Sequence, residues 1–223
     1  MFGAFYFSTI SWDTVSIDPV VVDETSDNSS LTKYLQLNNS DLKFEVFEYA
    51  FAGYLKLVAE KKLKNSKYLT IIDMSMSSNS KRLFIINMHE NKIEHQSIVA
   101  HGRGSGNEFA KYFSNTINSH QSSIGFYHTA ETYFGKHGLS LRLDGLEFSN
   151  NNARKRAIVI HSADYVSFDF IKKYGRLGRS YGCPSLPKKD YKEIVQKIKA
   201  GSALFIYSSN QTYLDKSSLL EDV

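Results

Sequence analysis

From residue 68 onward the apolar residues fall in short runs that suit strands and are too brief for helices. YLTIIDM (68–74), RLFIINM (82–88), KIEHQSIVA (92–100), IGFYHTAET (124–132), LSLRLDG (139–145), RAIVIH (156–161) and ALFIY (203–207) are rich in β-branched and aromatic residues. Ser/Asn and Glu-Asn turns separate the first three of them. Many short strands with few helices between them predict an α+β chain whose body is a mostly antiparallel β-sandwich or open barrel. The 15 Phe and 14 Tyr fit such a sheet, because large rings pack well on a pleated surface.

Before residue 65 the period is helical. After Ser40, a good N-cap, Phe47, Ala50, Phe51, Tyr54 and Val58 recur at helical spacing, and Lys61, Lys62 and Lys64 close the segment as cations should. One amphipathic helix is expected over 40–63, packed on the body, with a shorter one over 30–38. Further helices are expected near 164–174 and from Pro187 to Lys199, the latter burying Tyr191, Ile194, Val195 and Ile198 and ending at Gly201. The chain then divides into an extended acidic arm (1–30), a helical segment (31–66), a catalytic-sized β-rich domain (67–209) and a polar tail (210–223).

Charge is uneven. Residues 1–32 contain no Lys or Arg and carry a net −5, which leaves +9 on residues 33–223. A basic body favours an anionic partner: nucleic acid, lipid headgroup or acidic wall polymer. No run approaches the ~18 apolar residues of a membrane-spanning helix, so no integral membrane segment is expected. The start MFGAFYFSTISW lacks the cationic opening of a secretory leader, so either none exists or the chain begins after one. No nucleic-acid-binding signature accompanies the basic residues and tyrosines of 172–192.

The single cysteine, Cys183, limits any thiol chemistry to one position. It lies in GRLGRSYGCP (175–184), a loop of glycines and cations ahead of the 187–199 helix. Arg176, Arg179, Lys188 and Lys189, together with that helix, are expected to lower its pKa. His161 ends the apolar strand RAIVIH, where it is available as a base. Pro184 has no N–H, so an oxyanion must be held by the N–H groups of Cys183, Gly182 or Tyr181. On the residues alone, a buried, inert cysteine remains the competing reading.

A histidine at a strand end followed about twenty residues later by Ser180-Tyr181-Gly182-Cys183 resembles the L,D-transpeptidase catalytic domain (YkuD-like). HGRGSG (101–106), FSN (113–115), SSIGFYHTAETYFGKHGLSLRLDGLE (122–147), NNARKRAIVIHSADYVS (151–167) and GRLGRSYGCPSLP (175–187) are similar to its murein L,D-transpeptidase branch. The general family has His at the place of Tyr181, and Arg or Asn where this chain has Pro184 and Ser185. The resemblance implies Cys183 as nucleophile and His161 as base, its tautomer held by a backbone carbonyl. It also implies Ser180, Tyr181 and Gly182 as the active-site loop, and a peptidoglycan tetrapeptide stem as substrate. The product is a 3–3 cross-link, or a tripeptide if water accepts the acyl group; a wall-binding module without turnover is the third possibility. No cofactor is implied, and the place is periplasmic or cell-envelope. Arg142, Arg176 and Arg179 are candidate carboxylate binders, and Tyr133 and His137 sit in a loop expected to cover the site. Ser122-Ser-Ile-Gly125 stands in place of the family's Thr-Pro-x-Gly turn.

Two weaker signals read otherwise. His89, His95 and His101 recur every six residues, but nothing completes a tetrahedral metal set, so no metal is expected. HGRGSG lacks the Gly-Lys-Ser/Thr end of a phosphate loop and is expected to be a tight turn lined by His101 and Ser105. The sequence leaves the oligomeric state open.

Overall fold

The structure, a computed structural model, describes residues 24–39 and 41–221. Most of the acidic arm and the expected Ser40 cap lie outside the described residues. Residues expected at the arm's end are helical instead: α1 runs Glu24–Leu37 and α2 Phe44–Ala59. Asn39 Oδ1 accepts from the N–H groups of Asp41 and Leu42 just ahead of α2, whose N-cap is Lys43.

Eight strands form one sheet: β1 Tyr68–Asp73, β2 Leu83–Asn87, β3 Lys92–Ser97, β4 Gly125–Gly135, β5 Gly138–Gly145, β6 Val159–Ser162, β7 Ser185–Leu186 and β8 Ala203–Tyr207. Their order is β3-β2-β1-β8-β4-β5-β6-β7. Only β1–β8 and β6–β7 are parallel. A bridge from Ala100, just past β3, to Ser185 of β7 brings the two edges together, so the sheet nearly closes. This is the α+β open barrel that the strand spacing predicts. All seven expected strands are present; β7, two residues long, is the addition.

β1, β2 and β8 are buried along their whole length, and α2 packs its apolar stripe against β1 and β8. Val46, Phe47, Ala50, Phe51, Gly53, Tyr54 and Leu57 are buried, whereas Val58 points outward at 39% exposure. Gly53 of α2 meets β4 closely. A Cβ there would sit 2.1 Å from Cζ of Phe126, which stacks on Phe205 with centroids 4.3 Å apart. Gly53→Ala is therefore expected to cost about 1–3 kcal/mol by overpacking, seen as a lowered urea midpoint with an unchanged slope. A wild-type midpoint would show that α2 is not pressed on the sheet.

Two later helices begin further along than expected. α3 is Phe168–Tyr174, capped by Ser167 Oγ on the Phe170 N–H. α4 is Tyr191–Ile198 and buries its four expected apolar residues; Pro187 stays in the preceding turn. Residues 210–221, read as a polar tail, pack on the body. α5 (Gln211–Leu214) opens with an Asn210 side-chain cap, and Tyr213, Ser217, Leu219 and Leu220 are buried. The anchor is Glu147, whose buried carboxylate accepts from the Phe126 N–H (2.6 Å), the Tyr213 hydroxyl (2.8 Å) and the Ser217 hydroxyl. Burial raises the Glu147 pKa although all three donors oppose the shift.

Candidate active site

The β6–β7 pairing sets the register of the site. His161 lies opposite Ser185 and Ser162 opposite Leu186, in parallel. Continued back two residues, that register sets Cys183 beside Val159, whose backbone N–H faces the sulfur. Ser185 and His161 face one another across this pairing, with Ser185 Oγ against His161 Nε2. Cys183 and His161 both line one cavity.

The His161 tautomer follows from its partners. Nδ1 lies 3.0 Å from the Ser162 carbonyl oxygen, which only accepts, so Nδ1 carries the proton. Nε2 is then a bare acceptor, and the Ser185 hydroxyl donates to it at 2.9 Å. The Tyr165 hydroxyl in turn donates to Ser185 Oγ at 3.1 Å. His137, from the Lys136-His137 turn of the β4–β5 hairpin, stacks on the His161 ring with centroids 4.3 Å apart. Burial pulls the His161 pKa below 6.5, partly opposed by the Ser162 carbonyl; His137 and Lys136 push it further down.

Cys183 is half-buried, and its thiol donates to the Ala157 carbonyl at 3.6 Å. The expectation of a depressed pKa is corrected here: burial pushes the thiol up, and the Val159 N–H, Arg156 and Lys136 offset this only in part. The cations of the loop do not reach it. Arg176 donates to the Leu177 carbonyl, Lys188 pairs with Asp164, and Lys189 is exposed. α4 starts at Tyr191, too far along to aim its N-terminus at the sulfur. A thiol shifted up beside an imidazole shifted down describes a neutral pair at rest.

Ser180 staples the loop. Its hydroxyl donates to the Cys183 carbonyl (2.6 Å) and accepts from the Gly182 N–H (3.0 Å). That commits the Gly182 N–H to the Ser180 hydroxyl. Gly182 has φ +124°, and a Cβ there would stand 2.8 Å from the Gln121 carbonyl, so the position admits only glycine. The HGRGSG segment is a tight turn, with a short 3₁₀ helix at Arg103–Ser105. It is held to the loop by Arg103 N–H to Ser180 O and Ser180 N–H to His101 O. Ser122 supports both from below, donating to the Gly182 carbonyl and accepting from the Gly102 N–H. His101 is buried against Arg82, and burial pushes its pKa down to about 4.

A cavity of about 570 Å³ joins these groups. Its wall includes Cys183, His161, Tyr165, Tyr133, His137, Ser180 and Tyr181, with the cations Arg103, Lys136, Arg156 and Arg179 and no Asp or Glu among the described residues. Tyr181 lies between Arg103, 4.6 Å above its ring, and His120, with centroids 4.6 Å apart. Of the expected carboxylate binders only Arg179 lines the cavity, braced by the Gly106 carbonyl and Asn107. Arg142 lies over the Tyr133 ring and pairs with Glu131, so it holds the cavity wall without forming its surface. Arg176 is absent from the wall as well. Arg103, Lys136, Arg156 and Tyr165 were not singled out from the sequence, and Ser185 was noted only as a departure from the family pattern. His89 is exposed, His95 faces Asp190 and His101 is buried; among the described residues no three His, Cys, Asp or Glu converge as a metal site.

Comparison with known proteins adds the following. A family model described as the L,D-transpeptidase catalytic domain matches residues 38–207. Curated proteins give no match. Solved structures similar to this chain include an L,D-transpeptidase from Mycobacterium smegmatis (10% identity, TM-score 0.40, 64% of this chain and 59% of that one). Another is from Mycobacterium tuberculosis H37Rv (12%, 0.42, 64% and 58%) and a third from Stackebrandtia nassauensis (11%, 0.40, 74% and 68%). The chain spans about three fifths of the two mycobacterial proteins.

Proposed function

The chain belongs to the L,D-transpeptidase catalytic-domain family, and from that premise we propose that it is a cysteine-dependent L,D-transpeptidase of peptidoglycan tetrapeptide stems. The observation that carries this reading is the single cysteine and a tautomer-fixed histidine opening on one cavity walled by cations.

In the first step the thiol turns from the Ala157 carbonyl toward the ring, and the Ser185 hydroxyl swings off Nε2 to Tyr165. His161 Nε2 takes the thiol proton as sulfur bonds to the carbonyl carbon of the third, diamino-acid residue. The oxyanion lies against the Cys183 and Tyr181 N–H groups. The C–N bond to D-Ala then breaks, and His161 returns the proton to the leaving amine. An amine of a second stem attacks the thioester carbonyl and loses its proton to His161; the C–S bond breaks and His161 returns that proton to sulfur, leaving a 3–3 cross-link and the free Cys183 thiol. Arg103 and Arg179 suit the carboxylates of a stem peptide. Water as acceptor yields an L,D-carboxypeptidase, and a groove that binds without reacting yields a wall-binding module.

The family is usually cell-envelope associated, and among the described residues no helix is long and apolar enough to cross a membrane; a periplasmic place is part of this proposal. Purified protein incubated with disaccharide-tetrapeptide and analysed by mass tests the reading. A dimer lacking one D-Ala supports it, a tripeptide supports the hydrolase, and bound but unchanged substrate supports the module.

The pH profile is a second test. The base works as neutral imidazole, so kcat/KM falls as pH drops through the His161 pKa, which burial holds below 6.5. The acid limb is expected with a midpoint under 6.5; a midpoint at 7 or above contradicts a buried neutral base.

A further inference from the structure

One charge packed against the nucleophile's loop comes from outside it. Arg156, in the segment ahead of β6, is half-buried on the cavity wall. Its guanidinium donates to the Ser114 carbonyl (2.6 Å), the Gln121 carbonyl (2.5 Å), Ser123 Oγ and Ser119 Oγ (both 3.2 Å). All four acceptors are neutral. An arginine withdrawn from water ordinarily takes a carboxylate with it, because an uncompensated charge is costly to bury. Among the described residues no Asp or Glu pairs with Arg156 or lines the cavity. The guanidinium keeps its charge throughout the working range. The wall therefore holds a fixed positive charge without a fixed negative partner.

Its position indicates what the partner is. A Cβ on Gly182 would stand 3.2 Å from Arg156 Nη2, so the guanidinium packs against the peptide that leads into Cys183. On this wall, the side chain that becomes an anion nearest neutrality is the Cys183 thiol. We propose that Arg156 is the counter-charge of the Cys183 thiolate, a positioning residue that eases formation of the nucleophile while its fork holds the Ser114–Gln121 segment beneath the loop. The proposal rests on Cys183 being the nucleophile. The local field agrees, since Arg156 draws the thiol pKa down against the effect of burial. Lys136 acts in the same direction from an exposed turn, where solvent screens it more strongly.

The test needs no peptidoglycan: the rate of Cys183 alkylation by iodoacetamide is followed against pH in the full chain. Arg156→Gln keeps an amide donor for the carbonyls and loses the charge. Arg156→Lys keeps the charge and loses the fork. The Gln variant is expected to raise the alkylation midpoint by about one unit, a tenfold slower reaction at any pH below it. The Lys variant should stay near wild type. Equal midpoints in both variants, shifted or not, overturn the proposal, because a purely structural brace would follow the lost hydrogen bonds. A measurement on the unsubstituted chain covers a variant that fails to fold. At low salt, iodoacetate should gain several-fold on iodoacetamide relative to free cysteine, and a ratio equal to that of free cysteine overturns the proposal. Normal alkylation behaviour without turnover of tetrapeptide would instead sink the transpeptidase reading and leave this one standing.

Discussion

Cys183→Ser is expected to lower release of D-Ala from tetrapeptide stems by about 10⁴-fold or more, the scale on which losing an activated nucleophile acts. The exchange alters one atom in a half-buried position, and the hydroxyl can still donate to the Ala157 carbonyl, so the thermal midpoint should barely move. What changes is acidity. A neutral imidazole whose pKa lies below 6.5 can take a proton from a thiol in the transition state, but a serine hydroxyl is many units less acidic. The serine protein should still bind stems through its cations. Turnover within tenfold of wild type would mean that the sulfur forms no bond to substrate.

His161→Gln is expected to cost 10²- to 10⁴-fold, the usual range for a positioned acid–base group. Glutamine can keep hydrogen bonds toward the Ser162 carbonyl and Ser185, so β6 and β7 should stay paired. The informative readout is the shape of the deficit. Without a base the thiol must ionise unaided, and its pKa is raised by burial. The variant should therefore recover activity as pH climbs toward that pKa, and the gap to wild type should narrow. A deficit constant across pH would assign His161 a structural role only.

The strands were legible because their apolar residues must alternate or run unbroken for four to eight positions, and each run is bounded by turn residues. The pairing of His161 with the cysteine loop was not legible, because β7 is two residues long and carries no period. It exists because Ser185 completes the edge of the barrel against both β6 and Ala100. The tail was misread for a similar reason. Tyr213, Leu219 and Leu220 are too widely spaced to mark an element, and their burial depends on a Glu147 carboxylate distant in sequence.

At the site, a motif was enough to propose Cys183 as nucleophile and His161 as base, but the electrostatics around them could not be read from it. Neighbours in sequence suggested that Arg176, Arg179, Lys188 and Lys189 would charge the loop, and of these only Arg179 lines the cavity. In the fold Arg176 and Lys188 find other oxygens, Lys189 stays exposed, and the cations that reach the sulfur come from Arg156 and the hairpin tip at Lys136. Arg142 does not line the cavity, because it pairs with Glu131 and lies over the Tyr133 ring. Sequence adjacency to a cysteine is thus a poor guide to its field when the backbone turns sharply, as it does at Gly182.

The central claim is that a covalent bond forms between Cys183 and the stem. Intact-mass measurement of protein mixed with disaccharide-tetrapeptide and quenched in acid within seconds tests it directly. The account predicts an adduct equal to the donor less D-Ala, mapped to the peptide containing Cys183 and released by hydroxylamine. Complete turnover with no adduct at any quench time, or an adduct that persists in Cys183→Ala, would contradict it.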